Sequence, residues 1–357
     1  LGAGQAIGSW LSGVVVDNNG CVGIRVFDST PAANAVANIT GSTITNNSIG
    51  ILVDGALDSV TNITNNTISN NTKTNCTSGG NTGIGVAVEG GCAIVNNNTI
   101  QNNTIGAQLS EADGFLQMFC NHISGNTMFG VNNVTAVPVD AIFNFWGSAT
   151  GPTNPANPGG AGDAVSANVD FAPWFTTAAC NSSPTTVVVG GNLYVVGSAG
   201  SDNIYINATP WTATAPSAVT VKINSVSFGP FTLDAINVVV VYGQGSLDII
   251  QVVGGRNSEL HGGDGNDVIT GGIGSDLIFG DAGDDFLQGG AGNDFLVGGA
   301  GRDRLSGDSG DDMLLGGAFK KGLAHNGTEP YTPTALRAIL AAWAAGTVDP
   351  DLDSGLA

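Results

Sequence analysis

The stretch GGDGNDVIT GGIGSDLIF GDAGDDFLQ GGAGNDFLV GGAGRDRLS GDSGDDMLL runs from Gly262 to Leu315 as six gapless units of nine residues. Each unit has Gly at its first and fourth positions, Asp at its sixth and an aliphatic residue at its eighth. The sixth positions are Asp267, Asp276, Asp285, Asp294, Asp303 and Asp312; the eighth are Ile269, Ile278, Leu287, Leu296, Leu305 and Leu314. A fixed period of this kind marks a solenoid, in which a unit too small to bury its own apolar face stacks on copies of itself. The three residues after each Asp form a short strand whose middle member points inward by the period-two rule. Two units complete a coil, so successive turns fall on alternate sides. One side then stacks Asp267, Asp285 and Asp303, and the other Asp276, Asp294 and Asp312. A flexible Gly/Asp linker would not keep its eighth position aliphatic throughout.

Glycine tolerates positive φ and lets main chain crowd an ion, and each Asp adds a carboxylate. Calcium takes about six to eight oxygen ligands, more than one turn supplies but within reach of two stacked turns. Three turns per side leave two gaps per side, hence at least four inter-turn calcium sites. The units resemble the RTX calcium-binding β-roll. That resemblance implies backbone ligands at the first and third positions beside the Asp carboxylates: Gly262 and Asp264, Gly271 and Ile273, Gly280 and Ala282, Gly289 and Ala291, Gly298 and Ala300, Gly307 and Ser309.

Only 11% of the 357 residues are charged, yet the formal net charge is −20. This excludes a nucleic-acid surface, which needs clustered Lys and Arg. Residues 254–317 hold 12 acidic and 3 basic side chains. Such a cluster repels itself until cations arrive, so the module is expected to fold on binding calcium. Calcium is abundant outside cells and scarce in the cytosol, which points to a secreted or cell-surface location. Five scattered cysteines (Cys21, Cys76, Cys92, Cys120, Cys180) show no metal spacing; Cys76 with Cys92 is the expected bridge. No signal peptide is visible and no apolar run is long enough to span a bilayer.

Upstream, residues 1–135 are rich in Asn, Thr, Ile and Val, and a second pattern recurs. TITNNSIGI, TISNNT, TIQNNTIGA and HISGNTMFGV place Ile44, Ile68, Ile100 and Ile123 at intervals of 24, 32 and 23 residues. The long interval carries a polar insertion, Lys73 to Asn81, and Val14 to Ile24 is an earlier copy. Short β-branched strands at this period predict a right-handed parallel β-helix with Ile and Val inward and turn Asn stacked on turn Asn. The segment resembles the β-helix repeats of secreted carbohydrate-active and adhesin-like proteins. Residues 136–176, with Phe143, Phe145, Trp146, Phe171, Trp174 and Phe175 around a Pro/Gly-rich loop, are similar to the WGSATGP-type endings of such repeats. They read as a cap, or alternatively as a sugar-binding aromatic platform.

The expected all-β organisation is a β-helix with its cap over 1–180, a β-rich connecting segment over 181–253, the roll over 254–317 and a C-terminal cap over 318–357. Gly197 to Tyr205 and Gly243 to Gln251 are degenerate nonapeptides carrying Asp202 and Asp248, and Val253 to His261 puts Ser258 in the Asp slot. A helix is predicted near 333–345, with Leu336, Ile339, Leu340 and Trp343 on one face. It reads as a docked cap, or as the secretion signal that RTX proteins often carry.

Two functions fit this plan. One is a calcium-binding structural or adhesin-like protein with a polysaccharide or cell-surface partner. The other is a carbohydrate-active enzyme, since mannuronan epimerases join a β-helix to RTX modules in this order. Epimerase or lyase chemistry needs a base, an acid and a cation beside the uronate. Residues 1–180 offer only His122, no Tyr, and Arg25 and Lys73 as cations. Asp54, Asp58, Glu89, Glu111 and Asp113 are isolated, and no catalytic residue is assigned. Neither HExxH nor GxSxG occurs.

Overall fold

The computed structural model describes residues 9–27, 36–55, 60–74, 82–178, 184–209 and 218–317. The chain divides into two compact units between Cys180 and Asn181, and the described residues contain strands but no α-helix. The helix predicted near 333–345 lies outside the described residues.

The first unit is a parallel β-helix. Five coils each contribute one strand to each of three parallel sheets, and the first sheet continues with two further strands. The first sheet stacks Ser9–Ser12, Val36–Thr40, Val60–Thr64, Cys92–Asn96, Phe115–Phe119, Val139–Asp140 and Val169–Asp170. A second stacks Val15–Asp17, Thr43–Thr45, Thr67–Ser69, Thr99–Gln101 and His122–Ser124. The third stacks Val22–Phe27, Ile49–Asp54, Ile84–Val88, Ile105–Leu109 and Phe129–Asn133. Ile44, Ile68, Ile100 and Ile123 pair in register down the second sheet, each fully buried. The long interval therefore keeps the stack intact.

The Asn-Asn pairs divide two tasks. The first Asn of each pair (Asn46, Asn65, Asn70, Asn97, Asn102) sits at φ between 54° and 59°, the left-handed region that Asn tolerates and that turns the corner. The second is buried and forms a ladder. Asn66 donates its backbone N–H and its Nδ2–H to Asn98 Oδ1 at 2.9 and 3.0 Å, and Asn98 does the same to Asn121. Asn121 continues the row to Asn144. A parallel row runs Asn47, Asn71, Asn103 and Asn126, and ends on the carboxylate of Asp163. The ladder amides also donate to carbonyls of the neighbouring coil, such as Ile63 O and Ile39 O.

Residues 136–176 do more than cover an end. Val139–Asp140 joins the first sheet, Phe145 bridges His122, and Val165 bridges Val131, so the segment makes one further coil. Trp146 is fully buried in the core, with Phe171 and Trp174 packed against that core.

The second unit is a two-sheet roll with seven strands in each sheet. One sheet stacks Thr185–Val189, Asn192–Val196, Val238–Gly245, Ser258–Asp264, Leu277–Ala282, Phe295–Val297 and Met313–Leu315. The other stacks Val226–Thr232, Ala218–Ile223, Asn203–Thr209, Ile249–Gly254, Val268–Gly272, Phe286–Ala291 and Arg304–Ser309. Strands from Thr185 onward therefore share both sheets with the nonapeptides, and the antiparallel hairpin Ala218–Ile223/Val226–Thr232 extends one of them. Eighth-position Ile269, Ile278, Leu287 and Leu296 are fully buried between the sheets, whereas Leu314 at the last coil is 43% exposed.

Candidate metal centre

The sixth-position aspartates stand in two rows, one at each edge of the roll. Asp267 N–H donates to Asp285 Oδ1 at 2.7 Å, and Asp285 N–H to Asp303 Oδ1 at 3.0 Å. On the other side Asp276 N–H donates to Asp294 Oδ1 and Asp294 N–H to Asp312 Oδ1, at 2.8 and 2.9 Å. The structure thus brings together the residues grouped by the 18-residue coil. It also lengthens both rows. Asp202 and Asp248 precede Asp267, and Ser258 precedes Asp276 while donating its hydroxyl to Asp276 Oδ1.

In every link but the last, to Asp312, one carboxylate oxygen is used and the other is left over. The Oδ2 atoms of Asp248, Asp267, Asp276, Asp285, Asp294 and Asp303 are buried without a hydrogen-bond partner. A buried acceptor without a donor is costly, and a buried charge more so. A cation would supply what is missing. Burial, reinforced by neighbouring carboxylates, pushes the metal-free carboxyls of Asp248, Asp276 and Asp285 up to about 7, and those of Asp267 and Asp294 to about 6.

The glycine positions follow from the same geometry. A Cβ on first-position Gly262, Gly271, Gly280, Gly289, Gly298 or Gly307 would lie 2.3–2.5 Å from the Oδ2 of the Asp five residues on. The leftover oxygen therefore lies over a bare main chain. At the fourth position the coils themselves touch: Gly283 has φ +146° and its Cβ would fall 1.5 Å from Gly265 O. Asp281 and Asp308 take second-position sites at φ 69° and 68°, which Asp tolerates.

Of the third-position carbonyls, those of Ala282, Ala300 and Ser309 accept N–H bonds from Gly265, Gly283 and Gly292. Each has a second lone pair. Among the described residues no three His, Cys, Asp or Glu side chains converge on one point. A cation here would take much of its shell from main-chain oxygen, which suits a hard ion such as calcium.

His261 lies beside the row, stacked between Tyr242 and Phe279 at ring separations of 4.8 and 4.7 Å. Burial alone would lower its pKa. Hydrogen bonds to Asp281 and Glu259 outweigh that and raise it to about 9, so it is a cation at neutral pH.

Among the described residues of the first unit, His122, Arg25 and Lys73 each keep separate partners. His122 lies close to Gln101 and Ser124 and packs on Phe145, and burial lowers its pKa. Arg25 pairs with Asp54, and Lys73 donates to Asn18. Cys21 and Cys120 are each in a disulfide; the expected Cys76–Cys92 bridge involves Cys76, outside the described residues.

Comparison with known families agrees with this geometry. The RTX calcium-binding nonapeptide repeat matches residues 253–287 and 288–319, in four copies. No curated protein and no solved structure matches the chain. Residues 253–319 are RTX calcium-binding repeats, and the described residues form an all-β fold built mainly of parallel strands.

Proposed function

We propose that this is a secreted or cell-surface structural protein of adhesin-like type, whose roll orders when it meets calcium outside the cell. The observation that carries this reading is the row of buried Oδ2 atoms left without donors. The ligands are the carboxylates of Asp267, Asp276, Asp285, Asp294, Asp303 and Asp312, with first- and third-position carbonyls completing each shell. Bound calcium supplies positive charge that balances the buried carboxylates. The disulfides at Cys21 and Cys120 support an oxidising compartment. Among the described residues no helix is long and apolar enough to cross a membrane.

On this reading the β-helix is a rigid, calcium-independent stalk or display surface for a polysaccharide or cell-surface component. Calcium titration of the full chain, followed by hydrogen exchange, tests it. Amides in 262–315 should become protected at millimolar calcium while those in 36–133 stay protected in EDTA. Absence of calcium-dependent protection in 262–315 would refute the reading. The enzymatic alternative is tested by incubation with alginate and polygalacturonate, where unsaturated product or a changed epimer ratio that vanishes in His122→Ala would establish it.

A further inference from the structure

We propose that the calcium row begins one turn before the recognised repeats, at a site in the gap between turn Gly243–Asp248 and turn Gly262–Asp267, and that the gap above it is closed by side chains instead of an ion. This rests on the calcium reading of the roll and extends it to residues outside the family match, which starts at 253.

The two neighbouring gaps contrast atom by atom. Asp248 is fully buried; its Oδ1 accepts the Asp202 N–H at 2.7 Å, and its Oδ2 has no partner. A Cβ on Gly243 would lie 2.5 Å from that Oδ2 and 2.5 Å from Gly262 O. A leftover carboxylate oxygen and the first-position carbonyl of the next coil therefore converge on one bare glycine. The same triplet recurs in the repeats proper: Gly262 with Asp267 Oδ2 and Gly280 O, and Gly271 with Asp276 Oδ2 and Gly289 O.

One turn upstream the same triplet forms, Gly197 with Asp202 Oδ2 and Gly243 O, but there the carboxylate is already engaged at both oxygens. Asp202 Oδ2 accepts the Ser198 N–H and hydroxyl, and its Oδ1 accepts Asn224 Nδ2–H. The first-position carbonyl, Gly197 O, accepts Gln244 Nε2–H at 2.8 Å. The third-position carbonyl, Ala199 O, accepts the Ser246 hydroxyl at 3.1 Å. Ser198 and Asn224 thus supply donors to the carboxylate whose counterparts in the later turns keep a partnerless Oδ2, while Gln244 and Ser246 add donors to the adjoining carbonyls. A cation at this upstream gap would have to displace them.

Four gaps lie between carboxylate-bearing turns of the six repeats, and Asp248 adds a fifth. Native mass spectrometry of the full chain with excess calcium reads the number directly. Five ions are expected, four in Asp248→Asn and five in Asp202→Asn. The Asp248→Asn change keeps an oxygen for the Asp202 N–H and alters only the partnerless atom. If that variant fails to fold, the count on the unaltered chain decides. Four ions on the unaltered chain, or five retained by Asp248→Asn, would overturn the inference while leaving calcium binding by the repeats in place. No bound ion at all would overturn the calcium reading itself.

Discussion

Acid should replace calcium as the agent that orders the roll. Asp276 is fully exposed in an unfolded chain and fully buried in the roll, where its metal-free pKa rises from 3.8 to about 7. A folded-state value above the unfolded one means the folded form holds its proton more tightly. Its stability is then greatest below pH 3.8, falls as the pH climbs towards about 7, and stays low above that. At about 1.4 kcal/mol per pKa unit, ionised Asp276 opposes metal-free folding by about 4 kcal/mol at pH 8, and by about 1 kcal/mol at pH 4.5. Asp248, Asp267, Asp285 and Asp294 add costs of the same sign. Domains are stable by only about 5–15 kcal/mol, so two or three such groups suffice to unfold the metal-free roll at neutral pH. Hydrogen exchange in EDTA, corrected for its intrinsic pH dependence, should show 262–315 unprotected at pH 8 and protected again near pH 4.5. Asp276→Asn should shift that recovery to higher pH. Full protection at pH 8 in EDTA would refute the reasoning, as would unchanged exchange on acidification.

Three further outcomes follow from the same geometry. Asn98→Ala should destabilise the β-helix by about 3–5 kcal/mol in thermal unfolding, because it strips an acceptor from the Asn66 N–H and amide and donors from Ile63 O and Asn121 Oδ1; calcium should not change that loss. Gly283→Ala should abolish calcium-induced ordering, since its Cβ would fall 1.5 Å from Gly265 O, while Gly255→Ala, with open space around it, should cost under about 1 kcal/mol. Asp294→Ala should weaken calcium binding by calorimetry more than Asp312→Ala, because Asp294 borders two carboxylate gaps and Asp312 only one.

The parts of this fold that were legible in the sequence are those with an unbroken period. The 18-residue coil groups the six aspartates onto two sides correctly, and the Ile spacing gives the β-helix register through an insertion. Asp248 and Asp202 read in the sequence as degenerate copies, with the roll beginning before Gly262 and its metal sites fading upstream; their exact places in the row were not legible, since spacings of 19 and 46 residues break the period. The plugging of the upstream gap was not legible, because Gln244 and Ser246 bond to carbonyls 47 residues away. The additional β-helix coil was hidden for a local reason. Cys120 and Phe143 occupy the left-handed corner at φ 61° and 51° where earlier coils use Asn, so Asn121 and Asn144 lack the Asn-Asn signature.

The two units answer one problem with two chemistries. Each stacks a polar side chain at a buried corner and passes a backbone N–H to the Oδ1 of the next coil, at 2.7–3.0 Å in both rows. With Asn the second atom is Nδ2–H, a donor, and the neighbouring coil has carbonyls to receive it. The ladder closes on itself and needs nothing from solution. With Asp the second atom is another acceptor, in a place where the main chain also presents oxygen. That ladder closes only around a cation, or around protein donors where the sequence supplies them, as Ser198 does for Asp202. Even the end of the Asn row obeys the rule: Asp163 is tolerated there because Gly125 and Asn126 donate to both of its oxygens. One atom in a recurring side chain therefore separates a ladder whose amides are all met by protein acceptors from one that leaves buried oxygens for a cation to meet.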